Sequence, residues 1–198
     1  MHGPAAMGST RSFATLLSGA KAGDQRSWVR IYEGLAPRLR GYLRSRGSAE
    51  ADDAVGEVFL HLARGIATFE GDEASFRSWV FVVAHHRLLD ERRRQRRRPS
   101  NLVDPSVEFA NLADPLDVEH EALRGPRLDE LRKLLEPLTE SQRNVLELRL
   151  IAGLTVDEVA EVLEKPPGAV KALQHRAIQA IHRGDQGAAV LTFAGVSL

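Results

Sequence analysis

One helix-start signature occurs twice within a short stretch, as Thr139-x-x-Gln142 and Thr155-x-x-Glu158. In such a capping box the threonine hydroxyl accepts from a backbone N–H of the first turn while the Gln or Glu reaches back to the threonine's own N–H. Gly153 stands between the two, where a left-handed residue would close the first helix. Pro166-Pro167-Gly168 can open a third helix, because proline's missing N–H has no partner at a first helical position. Residues 138–183 are therefore predicted to form three short helices.

The third helix is amphipathic. Val170, Leu173, Ala177, Ile178 and Ile181 form an apolar stripe. At about 100° per residue the opposite side carries Ala172, His175, Arg176, Gln179 and Arg183, with Lys171 at its edge. Val159, Ala160 and Leu163 give the second helix an inner face. The turn Glu164-Lys165-Pro166 joins the two, with Glu164 where glycine is commoner, so a left-handed conformation is expected there with modest strain. Helix lengths and turn fit a helix-turn-helix, whose last helix can enter a DNA major groove. The plainer alternative is a small bundle with a solvated basic face.

The net charge is zero, but it is unevenly distributed. Residues 24–98 hold 15 Arg or Lys against 11 Asp or Glu, whereas 99–123 hold six acids and no base. Residues 124–183 are near balance, with 10 bases against 9 acids. Local asymmetry, not the mean, sets the electrostatic footprint. The chain has no cysteine, which excludes disulfides and thiolate metal sites within it. It shows no apolar run of membrane-spanning length and no signal-peptide pattern near its start, so a cytoplasmic location without direct membrane insertion is the expectation.

These shifts divide the chain into an N-terminal extension (1–23, expected to be partly disordered), a helical domain (24–98), an acidic linker (99–123), a second helical domain (124–183) and a tail (184–198). The expected fold class is all-α: two small helical domains joined by an extended linker. Trp28, Ile31, Tyr32, Leu35, Leu39 and Leu43 form one apolar stripe of the first domain. Val55, Phe59, Leu62 and Ala63 form a second, and Phe76, Trp79, Val80, Val83 and Ala84 a third. That third helix ends in a cationic run: Arg87, Arg92, Arg93, Arg94, Arg96, Arg97 and Arg98. Such density calls for phosphates, solvent or an acidic surface. Phe76, Trp79 and Phe81 could stack on bases, but aromatic residues at helical spacing more often belong to a core, the reading favoured for Trp79. Neighbouring His85 and His86 diverge on a helix and cannot converge on one ion, so exposed or DNA-facing imidazoles are expected.

Three segments, AEADDAVGEVFLHLARGIATFEG (Ala49–Gly71), SFRSWVFVVAHHRLLDERRR (Ser75–Arg94) and LTESQRNVLELRLIAGLTVDEVAEVLEKPPGAVKALQHRA (Leu138–Ala177), together resemble the extracytoplasmic-function (ECF) class of RNA polymerase sigma factors, in the sigma-70 family. They lie in the family's order. The resemblance implies a first domain (region 2) that reads the promoter −10 element and binds core RNA polymerase, and a second (region 4) that reads the −35 element. It places Asp53 and Glu57 against the polymerase clamp helices. His86, Arg87, Asp90, Arg93 and Arg94 would face upstream −10 DNA, and the loop Ile66–Ala74 would capture an unstacked base. Lys171, Ala172, Gln174, His175 and Arg176 would read the −35 element. Gly56 stands where the family usually has Gln, and His86 where it commonly has Asn. The acidic linker would thread polymerase channels, though a solvated spacer has the same composition. Promoter DNA, core polymerase and an anti-sigma factor are the implied partners.

Two other functions compete. A stand-alone helix-turn-helix regulator would explain the second domain and leave the arginine-rich helix and the acidic linker without a role. An enzyme would need a phosphate loop, a carboxylate dyad in a pocket or a metal cluster. None is legible: His175 and His182 share a helix face without a third ligand, and Asp52-Asp53 is first a surface pair. No catalytic residue, metal or cofactor is expected.

Overall fold

The computed structural model describes residues 10–48, 50–97 and 133–183. All regular structure among these residues is helical. The first unit contains α1 (Thr10–Lys21), α2 (Gln25–Ser45), α3 (Ala51–Gly65), a 3₁₀ turn (Ile66–Thr68) and α4 (Glu73–Arg97). The second contains a helical turn at 133–135, then α5 (Glu140–Leu150), α6 (Val156–Val162) and α7 (Pro167–Arg183). The linker 99–123, the tail 184–198 and Arg98, the last residue of the cationic run, fall outside the described residues.

Within the N-terminal extension, residues 10–21 form α1, which buries Phe13, Leu16, Leu17 and Ala20, a helix that the sequence reading did not assign. Phe13 packs on Phe76 of α4 with ring centroids 5.6 Å apart. Asp24 then starts α2: its carboxylate accepts from the Ser27 amide at 2.9 Å and the Ser27 hydroxyl at 2.6 Å, bonds that hold its pKa below the usual value.

The stripes on α2, α3 and α4 converge as predicted, burying Ile31, Leu35, Leu39, Leu43, Val55, Leu62, Phe76, Val80 and Ala84. Two residues depart. Tyr32 remains exposed and lies against the Phe59 ring, 4.8 Å between centroids, and Ala63 faces solvent. Both sit at the edge of an apolar arc, where the position of the neighbouring helix decides burial.

In the second unit both capping boxes form. Gly153 takes φ +69° between α5 and α6. Glu164 takes φ 51°, and its N–H donates to Glu161 O while that of Lys165 donates to Ala160 O, which closes α6 in a Schellman arrangement. Val170, Ala177 and Ile181 of α7 turn inward on Val145, Leu148, Leu154 and Val159 in a common core. The two units are not held apart. Their apolar interiors join, with α4 against α6 and α2 against α5.

Candidate nucleic-acid interface

The packing that buries one face of α7 fixes what the other presents. Lys171, Ala172, His175, Arg176, Gln179 and Arg183 are all exposed, and Gln174 is half-buried. Arg176 Nε donates to Ala172 O at 3.2 Å, which lays the guanidinium along the helix surface. His175 and Gln179, one turn apart, approach to 3.4 Å. The outer face is thus a polar, cationic strip on the second helix of a helix-turn-helix, the element that docks in a major groove.

A second candidate surface lies between α3 and α4. Glu57, His61 and Arg64 line one wall of a groove, and His86, Arg87, Asp90 and Arg94 line the other. Glu57 and Arg87, assigned to different partners by resemblance, form an ion pair with each other across this groove. Asp53 and Glu57 both project outward one turn apart. Arg93 pairs loosely with Asp90 at 3.4 Å, and Arg94 is exposed. Arg92 turns away from this surface to donate to Glu140 of α5 at 2.6 Å, so it leaves the cationic strip.

The loop before α4 is ordered by its own residues. Asp72 accepts from the Ser75 amide and hydroxyl, both at 2.8 Å, which lowers its pKa and starts α4. Phe69 stacks on Trp79 with rings 13° from parallel and centroids 5.2 Å apart. Phe76 and Phe81 are fully buried and Trp79 half-buried, so these rings serve the core.

The expectation for the histidine pair needs correcting. His86 is exposed, but His85 is buried, with Nδ1 2.8 Å from the Tyr42 hydroxyl. Burial, helped by the positive charges of Arg46, His86 and Arg92, depresses its pKa to about 4. The divergence that excludes a shared ion also sends one imidazole inward. Sequence reasoning also missed Arg46 and Arg77, two buried arginines whose partners lie far along the chain: Glu147 and Glu158.

Residues 31–98 match the Sigma-70 region 2 family, and residues 128–181 match Sigma-70, region 4. The chain is 31% identical to the ECF RNA polymerase sigma factor ShbA of Streptomyces griseus, over 85% of this chain and 93% of that one. It is 30% identical to the ECF sigma factor BldN of Streptomyces coelicolor, over 91% of this chain and 68% of the relative. Two solved structures share the fold. One is CnrH in complex with the cytosolic domain of CnrY, with TM-score 0.60 at 21% identity, covering 86% of this chain and 95% of that one. The other is RpoE with the anti-sigma factor NepR from Bartonella quintana, with TM-score 0.61 at 18% identity, covering 80% and 96%. The chain belongs to the ECF RNA polymerase sigma factors of the sigma-70 family, transcription initiation factors that direct polymerase to promoters. The match over 31–98 gives the first unit the role that a stand-alone regulator would leave empty.

Proposed function

We propose that this chain acts by binding alone, with no catalytic chemistry of its own, as the promoter-reading subunit of a cytoplasmic RNA polymerase. The outer face of α7 reads the −35 element through Lys171, Ala172, Gln174, His175 and Arg176. The exposed end of α4 meets the −10 region through His86, Arg87, Asp90, Arg93 and Arg94. Asp53 and Glu57 offer carboxylates to a basic surface of core polymerase. The observation that carries the −35 assignment is the uncovered polar face of α7, whose opposite face is locked into the core.

The formal charge of the whole chain is zero, so non-specific attraction to DNA is weak, and selectivity comes when polymerase holds both surfaces on one duplex. An anti-sigma factor is the natural antagonist, as one is for the RpoE protein of similar fold. Among the described residues no helix is long and apolar enough to cross a membrane. Run-off transcription with purified core polymerase on a promoter library tests the reading. Transcripts starting downstream of one recurring −35/−10 pair are expected, and their absence would refute it.

A further inference from the structure

Helix geometry decides which residue of α7 stands furthest from the core. Val170, Ala177 and Ile181 are the buried residues of this helix. At about 100° per residue they fall within about 20° of one direction. Gln179 points about 180° away from it, at the centre of the uncovered face. Ala172 lies about 20° to one side of Gln179 and His175 about 40° to the other, and all three are exposed. Arg176 and Lys171 stand on opposite flanks, about 60° and 80° from the centre. Gln174 is turned toward the core and half-buried.

The central side chain is also oriented. The Gln179 amide nitrogen lies 3.4 Å from Nε2 of His175, one turn earlier. An amide nitrogen only donates, so the imidazole nitrogen accepts, and the ring proton sits on Nδ1. Turning the amide over would bring Oε1 to Nε2 and set two acceptors against each other. His175 thereby fixes which end of the amide is which. One amide hydrogen is engaged; the second hydrogen and Oε1 are left to meet a partner. Arg176 keeps clear of the pair, because its Nε donates back to Ala172 O.

Resting on the reading of α7 as the −35 reader, we propose that Gln179 is a base-reading residue selective for adenine and that His175 is its positioning residue. In the major groove adenine shows an acceptor, N7, beside a donor, the N6 amino group, and a glutamine amide answers both at once. Guanine shows two acceptors there, so its O6 would face the amide oxygen and one contact becomes a repulsion. Cytosine and thymine each offer a single polar group, which leaves half of the amide unmatched. Because His175 restrains the amide before DNA arrives, less side-chain freedom is lost on binding. Ala172 and Gln179 lie two turns apart, about 10 Å, within the groove width of about 12 Å, so the central line of α7 meets base edges along that length.

Run-off transcription by core polymerase carrying this chain, on promoters randomised through the −35 element, reads the preference at each position. The unaltered chain should favour adenine over guanine at one position by at least about fivefold. Gln179→Ala should flatten that position to within about twofold and leave the others as they were. Gln179→Glu should move the preference there to cytosine, whose N4 amino group donates to a carboxylate. His175→Ala should weaken the adenine preference at the same position. His175→Asn, whose amide oxygen can accept from Gln179, should restore it.

The proposal is overturned if Gln179→Ala leaves every position unchanged, or lowers all of them alike, as loss of a phosphate contact would. It is equally overturned if His175→Ala leaves the adenine position untouched. Arg176→Ala separates this failure from failure of the reading beneath it. If Arg176→Ala changes a −35 preference and Gln179→Ala does not, α7 reads the element without Gln179. If neither variant changes any preference, α7 is not the −35 reader, and the proposal falls with that reading.

Discussion

The Tyr42 hydroxyl and Nδ1 of His85 lie 2.8 Å apart in the interior, joining α2 to α4 through a neutral pair. Burial raises the Tyr42 pKa and lowers that of His85 to about 4. Since the unfolded imidazole titrates near 6.5, the unfolded chain binds more protons between these values, and stability falls as pH drops from about 6.5 to 4. The loss attributable to His85 is up to about 3 kcal/mol. Glu147, whose pKa burial raises against the opposing pull of Arg46, acts with the opposite sign. Urea denaturation of the unaltered chain and of His85→Leu across this window isolates the histidine. The variant should lose the downward slope, and an unchanged slope would remove His85 as its source.

Arg176 sits exposed in the middle of α7, and its guanidinium donates to Ala172 O of its own helix. Arg176→Ala should therefore weaken −35-dependent initiation by about 1–3 kcal/mol, the range of one good base contact. Affinity for core polymerase should stay unchanged in a fluorescence binding assay. Loss of that affinity would show that α7 faces the enzyme rather than DNA.

Asp53 and Glu57 were assigned the same partner, yet their surroundings differ. Asp53 projects into solvent, while Glu57 is paired with Arg87. Asp53→Lys should reduce polymerase affinity with stability altered by no more than about 0.5 kcal/mol, as for an ordinary surface change. Glu57→Lys should change −10-dependent melting as well, because it sets Arg87 free or repels it. Permanganate footprinting alongside a polymerase titration separates the two outcomes, and identical behaviour would contradict the pairing.

Glu164 is the one non-glycine residue with positive φ among the described residues. A left-handed backbone costs a residue bearing Cβ about 1–2 kcal/mol. Glu164→Gly should accordingly raise stability by about 1 kcal/mol, read as a higher thermal midpoint by circular dichroism. A lower midpoint would mean that its carboxylate, near His86, matters more than the strain.

Local chemistry made the second unit legible. Thr139, Thr155, Gly153 and Pro167 act within a few residues of themselves, and the α7 stripe follows from helix geometry alone. The resemblance supplied the two proposed DNA surfaces and the carboxylates proposed to meet the clamp. What stayed hidden depends on distant partners. Arg46 meets Glu147 across 101 positions and Arg77 meets Glu158 across 81, and no periodicity encodes such pairs. A similar limit applied to Arg92, counted as cationic strip until α5 offered Glu140, and to His85, whose inward turn required knowing where Tyr42 lay.

At position 41 a single hydrogen faces Ile151. That makes this one site on α2 a graded wedge. Alanine, valine and leucine placed there would push α2 and α5 apart by successive increments, without touching any residue proposed to read DNA or meet polymerase. The spacing of the two helices would then scale with the bulk of one side chain, an adjustment set by volume and independent of sequence recognition.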